Sequence, residues 1–146
     1  MKLTEINEAW EKDSKIDETN LGYSATRVPQ LHSKYLKLLS NTRLQFRKAE
    51  AEFLLLRQIK NRYYRGELTK EELKEYGWEQ YLLAKPLKNE MDTVINGDSD
   101  IIKMIDKLEY FRTTIYTLEQ IIKSLNNRTW DIKNAIEWQK FTQGNY

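Results

Sequence analysis

The residues with the most chemistry to offer close a single glycine-free stretch: Lys60-Asn61-Arg62-Tyr63-Tyr64-Arg65, stopped by Gly66. Cations beside aromatic rings can act non-covalently on a polyanion with flat faces. Lysine and arginine track phosphates, and a ring offers any base a surface to stack on, at about 1–3 kcal/mol per base. The charge continues upstream. Between Gln30 and Arg65 stand nine Lys/Arg against two acids, Glu50 and Glu52, a net +7 in a chain that is +2 overall. The i, i+4 Glu–Lys pairs that neutralise an ordinary solvated helix face are therefore scarce. The candidates for polyanion contact are Arg43, Arg47, Lys48, Arg57, Lys60, Arg62, Tyr64 and Arg65. An anionic membrane, an acidic protein partner and a plain solvated face fit the same composition, so charge alone leaves those readings open.

Other chemistries lack their residues. His32 is the only histidine and there is no cysteine, which removes disulfides, thiolate zinc sites and a thiol nucleophile. No Walker-type or Gly-x-Gly-x-x-Gly loop is present, and the acids are scattered rather than paired. The expectation is a protein with no cofactor, no metal and no catalytic residues. No apolar run approaches the ~20 residues needed to cross a bilayer. Met1-Lys2-Leu3-Thr4-Glu5 does not open a secretory signal. The expected location is cytoplasmic, without membrane contact.

The elements that must position the basic run are helical. Five glycines and two prolines punctuate 146 residues, and β-branched residues do not alternate, so the chain reads as all-α and as one domain spanning 1–146. Residues 1–28 form an acidic N-terminal arm in which Leu3, Ile6 and Trp10 share one helix face. Pro29 restarts or kinks the chain into the basic helix, 29–65. Its apolar stripe, Tyr35, Leu39, Thr42, Phe46, Ala49, Phe53, Leu56 and Tyr63, suits lengthwise packing on another helix. Most of the cations fall outside that stripe, but Lys60 lies on it, and Tyr64 is a better stacking candidate than Tyr63. Residues 66–97 are a connector with short helices. One follows the capping box Thr69-Lys70-Glu71-Glu72 and ends at Gly77, and another opens at Pro86.

Residues 98–141 carry the clearest periodicity. Ile101, Leu108, Ile115 and Ile122 recur every seven residues, and Met104, Phe111, Leu118, Leu125 and Ile132 repeat three residues later. These are a and d positions, widened by Ile105 and Ile121, and a wide seam suits an assembly larger than a dimer. The expected architecture is long amphipathic helices packed lengthwise, with the C-terminal heptad helix driving a homo-oligomeric ring or bundle. Packing of that helix on the basic one within a single chain is the alternative. Asn126-Asn127-Arg128-Thr129 is the weak point of the helix, and Trp130 and Trp138 fall off the seam.

With these elements in place, the chain resembles the UvsY family of recombination mediators from T4-like phages. The resemblance runs in order through nearly the whole length. It begins with Lys12-Asp13-x-x-Ile16-Asp17-x-Thr19-x-Leu21-x-Tyr23-x-Ala25, then Ser33-Lys34 followed by Tyr35 and Leu36. The Tyr63-Tyr64 pair, Glu90-Met91-x-Thr93-Val94 and the long C-terminal helix follow. The resemblance implies a non-enzymatic factor that binds single-stranded DNA. Such a factor works with a strand-exchange recombinase and a single-strand DNA-binding protein, in the host cytoplasm if phage-encoded. It also implies a closed homo-oligomer of about six or seven subunits. Family DNA contacts lie just before the Tyr-Tyr pair. Lys60 matches one of them, whereas Gln58 stands where the other cation would be, with Arg57 beside it. A helical oligomeric scaffold that ignores DNA is the competing account.

Overall fold

The computed structural model describes residues 1–144. Its helices are α1 (Leu3–Asp13), α2 (Leu21–Tyr64), α3 (Lys70–Tyr76), α4 (Met91–Asn96) and α5 (Ser99–Thr142). No strand occurs among the described residues, and the all-α architecture of long packed helices stands. The chain divides into two compact units, Met1–Leu44 with Arg112–Tyr146, and Gln45–Phe111.

Helix α2 does not restart at Pro29. It begins at Leu21 and carries Pro29 in its interior. Asn20 explains the earlier start: its side chain accepts from the Tyr23 N–H and its carbonyl from the Ser24 N–H, both at 3.1 Å. Such an N-cap is worth about 1 kcal/mol. A proline removes one helical hydrogen bond and crowds the carbonyl four residues back. The cap, with Leu21 buried on one side of Pro29 and Leu31 and Tyr35 on the other, offsets that cost.

In the first unit, Ile6 is fully buried in a cluster with Leu31, Tyr35, Leu39, Leu118, Ile121 and Leu125. The apolar face of α1 thus docks on α2 and α5, with the Trp10 ring edge-on to Tyr35 at 5.5 Å. Asp13 then ties the three helices. Its carboxylate accepts from Lys34 Nζ at 2.7 Å and from the Tyr35 hydroxyl at 2.8 Å, and its carbonyl accepts from Arg128 at 2.8 Å. Burial pushes the Asp13 carboxyl up, but these two side-chain hydrogen bonds outweigh burial and hold it below the usual range. Helix α5 runs through the Asn126–Thr129 stretch, where Arg128 is buried.

In the second unit, Met91, Ile95 and Ile101 form the buried cluster, with Phe53, Leu56 and Tyr64 packed against it. Pro86 does not open a helix. The Leu87 carbonyl accepts from the N–H groups of Glu90 and Met91 at 2.9 and 3.0 Å, so a turn precedes α4. Asp98 caps α5 by accepting from the N–H groups of Asp100 and Ile101 at 2.9 and 3.2 Å.

The heptad positions are occupied within one chain. Ile101, Leu108, Leu118, Leu125 and Ile132 are buried, while Met104, Phe111, Ile115 and Ile122 are half-buried. The stripe of α2 accounts for this, because Tyr35 and Leu39 meet Leu118 and Leu125 in one cluster and Phe53 and Leu56 meet Ile101 in the other. The apolar residues left most exposed on α5 are Tyr116, Trp130, Trp138 and Phe141, each more than 60% accessible.

Candidate nucleic-acid interface

The last turns of α2 lie in the second unit, and two glycine stops shape what surrounds them. Gly66 adopts φ 72°, its N–H donates to the Tyr63 carbonyl, and the Glu67 N–H donates to the Arg62 carbonyl, both at 3.0 Å. This is a Schellman termination, which a left-handed glycine permits at low cost. Gly77 repeats it after α3, at φ 71°, with the Trp78 N–H donating to the Leu73 carbonyl at 3.0 Å. The chain thereby returns its aromatics to α2. The Tyr63 ring lies 5.4 Å from Trp78 and 5.9 Å from Tyr81, and the Tyr64 ring 4.9 Å from Tyr81. Both tyrosines are engaged by protein: the Tyr63 hydroxyl donates to the Glu79 carbonyl and the Tyr64 hydroxyl to Asp98, each at 2.6 Å.

Lys60 is 4% exposed. Its ammonium lies 3.0 Å from Asp98, 2.8 Å from Asp100 and 3.8 Å from the centre of the Trp78 ring. Its place on the apolar stripe, visible in the sequence, turns it inward. Burial pushes the Asp98 carboxyl up, but hydrogen bonds from Tyr64, Lys60 and the Ile101 N–H outweigh burial and leave it below the usual range. The Tyr64 hydroxyl is raised well above its ordinary value, first by burial and then by its bond to Asp98.

The remaining cations divide by partner. Arg57 donates to Asp92 at 2.9 Å and to Asn96 at 2.8 Å. Arg62 makes a bidentate pair with Glu72, both bonds 2.9 Å, which raises the guanidinium and lowers the carboxyl. Arg47 is exposed and 4.0 Å from Glu50. Lys48 and Arg65 are exposed and have no partner among the described residues. Arg43 belongs to the first unit, where it pairs with Glu119 at 2.9 Å. Leu54, Leu55, Arg57, Gln58, Asn61, Arg62 and Arg65 line an open groove of about 740 Å³ along α2. Leu54 and Leu55 are more than half exposed there, so the groove combines an apolar wall with guanidinium groups.

A family model described as "Recombination, repair and ssDNA binding protein UvsY" matches residues 9–145. The chain belongs to the UvsY family. The recombination protein UvsY of Enterobacteria phage T4 is 26% identical over 144 residues, covering 99% of this chain and 99% of that protein. Two crystal structures of the bacteriophage T4 recombination mediator protein UvsY superpose with TM-scores of 0.82 and 0.83 at 25% identity. They cover 98% and 97% of this chain, and 98% and 99% of those chains.

The positions just before the Tyr-Tyr pair differ in exposure. Gln58 is exposed and uncharged, and Lys60 faces the protein interior. The groove instead gathers Arg57, Arg62 and Arg65. Glu72, Asp92, Asn96, Asp98 and Asp100 engage the helix cations, a role that helix capping at Glu72 and Asp98 does not reveal in the sequence. Their collective signal was present: residues 66–100 hold nine acids against four lysines, beside a helix with a surplus of cations. Among the described residues, no group of three or more His, Cys, Asp or Glu could hold a metal ion, and no helix is long and apolar enough to cross a membrane.

Proposed function

We propose that this chain is a non-enzymatic recombination mediator that binds single-stranded DNA and promotes loading of a strand-exchange recombinase in place of single-strand DNA-binding protein. The observation that carries the reading is a family match across nearly the whole chain, joined to an exposed cationic groove on the helix where the resemblance puts DNA contacts. Arg47, Lys48 and Arg65 meet phosphates directly, Arg62 exchanges its bidentate carboxylate for a phosphate in the same planar geometry, and Arg57 exchanges its single bond to Asp92 for one to a phosphate. Leu54 and Leu55 give unstacked bases or sugars an apolar wall. Lys60 and Tyr64 act indirectly, by holding the end of α2 against the start of α5 within the second unit.

A single groove of this kind holds a strand weakly. A closed homo-oligomer of about six or seven copies would link such grooves and add about 10²–10⁴-fold in avidity where the strand reaches several of them. The assembly surface we assign is the exposed part of α5, Trp130, Trp138 and Phe141, because the heptad positions are already occupied. Fluorescence anisotropy of a labelled single-stranded oligonucleotide over a salt series, with a duplex competitor, tests the reading. Expected are a preference for the single strand and log Kd rising with log salt by about 0.7 per phosphate contact. No binding at low salt would leave a helical scaffold as the better account.

A further inference from the structure

Four of the nine acids between residues 66 and 100 are held by cations of α2. Glu72 is held by Arg62, Asp92 by Arg57, and Asp98 and Asp100 by Lys60. The connector lysines Lys85 and Lys88 are exposed and have no ion-pair or hydrogen-bond partner among the described residues. Those two lysines line a second groove of about 390 Å³, which they share with Arg65, Asn61, Pro86, Met91 and one carboxylate, Asp92. Asn61 and Arg65 also line the groove along α2, so the two grooves adjoin at these residues.

The lysines are held in place by the backbone around them. Pro86 fixes φ between them and is half-buried. Lys88 sits inside the turn whose Leu87 carbonyl accepts from Glu90 and Met91, and Met91 is buried in the core of the unit. Three cations without carboxylate partners thus converge on one groove, and the groove next to it has an apolar wall. We infer that Lys85 and Lys88 form, with Arg65, a phosphate-binding wall that extends the single-strand path off α2 and onto the connector. This rests on the single-strand reading proposed above and adds a segment to its binding surface. A flexible single strand suits adjoining grooves, one with these cations and the next with exposed leucines, because its unstacked bases can turn toward the apolar part.

The test compares wild type, Lys85→Ala with Lys88→Ala, and Lys70→Ala with Lys74→Ala, the last pair lying on α3 outside both grooves. Each protein is titrated into a labelled single-stranded oligonucleotide across a salt series. Two lost phosphate contacts should reduce the salt slope by about 1.4 and weaken binding about twenty-fold at 0.1 M salt, with the α3 pair near wild type. Thermal melts should be unchanged, since all four side chains are exposed. If wild type binds and the Lys85/Lys88 variant weakens no more than the α3 variant, the inference is overturned and the mediator reading survives. If wild type binds no single strand at all, both fall.

Discussion

Replacing Lys60 with methionine separates a structural cation from a phosphate contact. The ammonium is 4% exposed and lies between Asp98 and Asp100, and the Asp98 side chain is itself 6% exposed. Removing one partner of a buried ion pair typically costs about 3–5 kcal/mol, because the other charge stays desolvated. Asp98 keeps the Tyr64 hydroxyl and two backbone N–H groups, which places Lys60→Met near the lower end, at about 3 kcal/mol. Asp98→Asn should cost less, about 1–2 kcal/mol, since Lys60 retains Asp100 and an amide oxygen can still cap α5. The double variant should be more stable than the sum of the single losses implies, by about 1–2 kcal/mol, because neither charge is then stranded. Urea unfolding followed by circular dichroism supplies the cycle, at one fixed protein concentration so that any self-association contributes equally. Under conditions where Lys60→Met is folded, its salt slope for single-stranded DNA should match wild type. A stability loss under 0.5 kcal/mol together with a slope reduced by about 0.7 would refute the argument and make Lys60 a phosphate ligand.

Four further outcomes follow from the structure. Asp92 is 84% exposed, lines the connector groove and occupies Arg57, so Asp92→Asn should tighten single-strand binding about five-fold at 0.1 M salt by freeing one cation; unchanged or weaker anisotropy binding would count against phosphate contact by Arg57. The Asp13 and Asp98 carboxyls are held below their ordinary value of 3.8, so the stability each contributes is fully present above about pH 4 and is lost as pH falls through the lower folded-state value. Urea midpoints measured from pH 6 to pH 2.5 should therefore fall at the acid end, and less steeply in Asp13→Asn and Asp98→Asn; equal slopes would contradict the assignment. Trp130→Ser with Trp138→Ser should reduce the sedimenting mass while leaving a folded helical protein, because both rings are about two-thirds exposed in the single chain. Leu118→Asp, at a fully buried position, should instead unfold the first unit, and a well-folded Leu118→Asp monomer would show that the seam serves assembly after all.

Periodicity made the helices legible. The Leu3-Ile6-Trp10 face, the stripe from Tyr35 and the heptads from Ile101 all mark buried surface, and Thr69 and Gly77 bound α3 as their chemistry dictates. The start of α2 was less legible because Asn20 is a poor interior residue and a good cap, and only its position relative to Leu21 and Ser24 distinguishes those roles. The heptad signature did not say whose apolar surface it meets. A seam packed on a second helix of the same chain has the same spacing as one packed on another subunit, and the widening at Ile121 is filled by the intrachain cluster. At the interface, composition found the helix but not the subset of cations it presents, since presentation depends on which carboxylates return to it.

That return is the physical core of the second unit. A helix with a net +7 stretch repels itself, and burying Lys60 beside uncompensated cations would be costly. The acids of the connector and of the start of α5 remove that cost by position. The buried cation receives two carboxylates, the half-exposed Arg57 and Arg62 one each, and Arg65 none. Compensation therefore falls away toward the groove shared with Lys85 and Lys88, where desolvation is small and an incoming phosphate meets no competing anion apart from Asp92. Although residues 66–100 are net negative in the sequence, three cations face one carboxylate along that groove. What a ligand would meet there is set by the local arrangement of charge, not by the net charge of the segment.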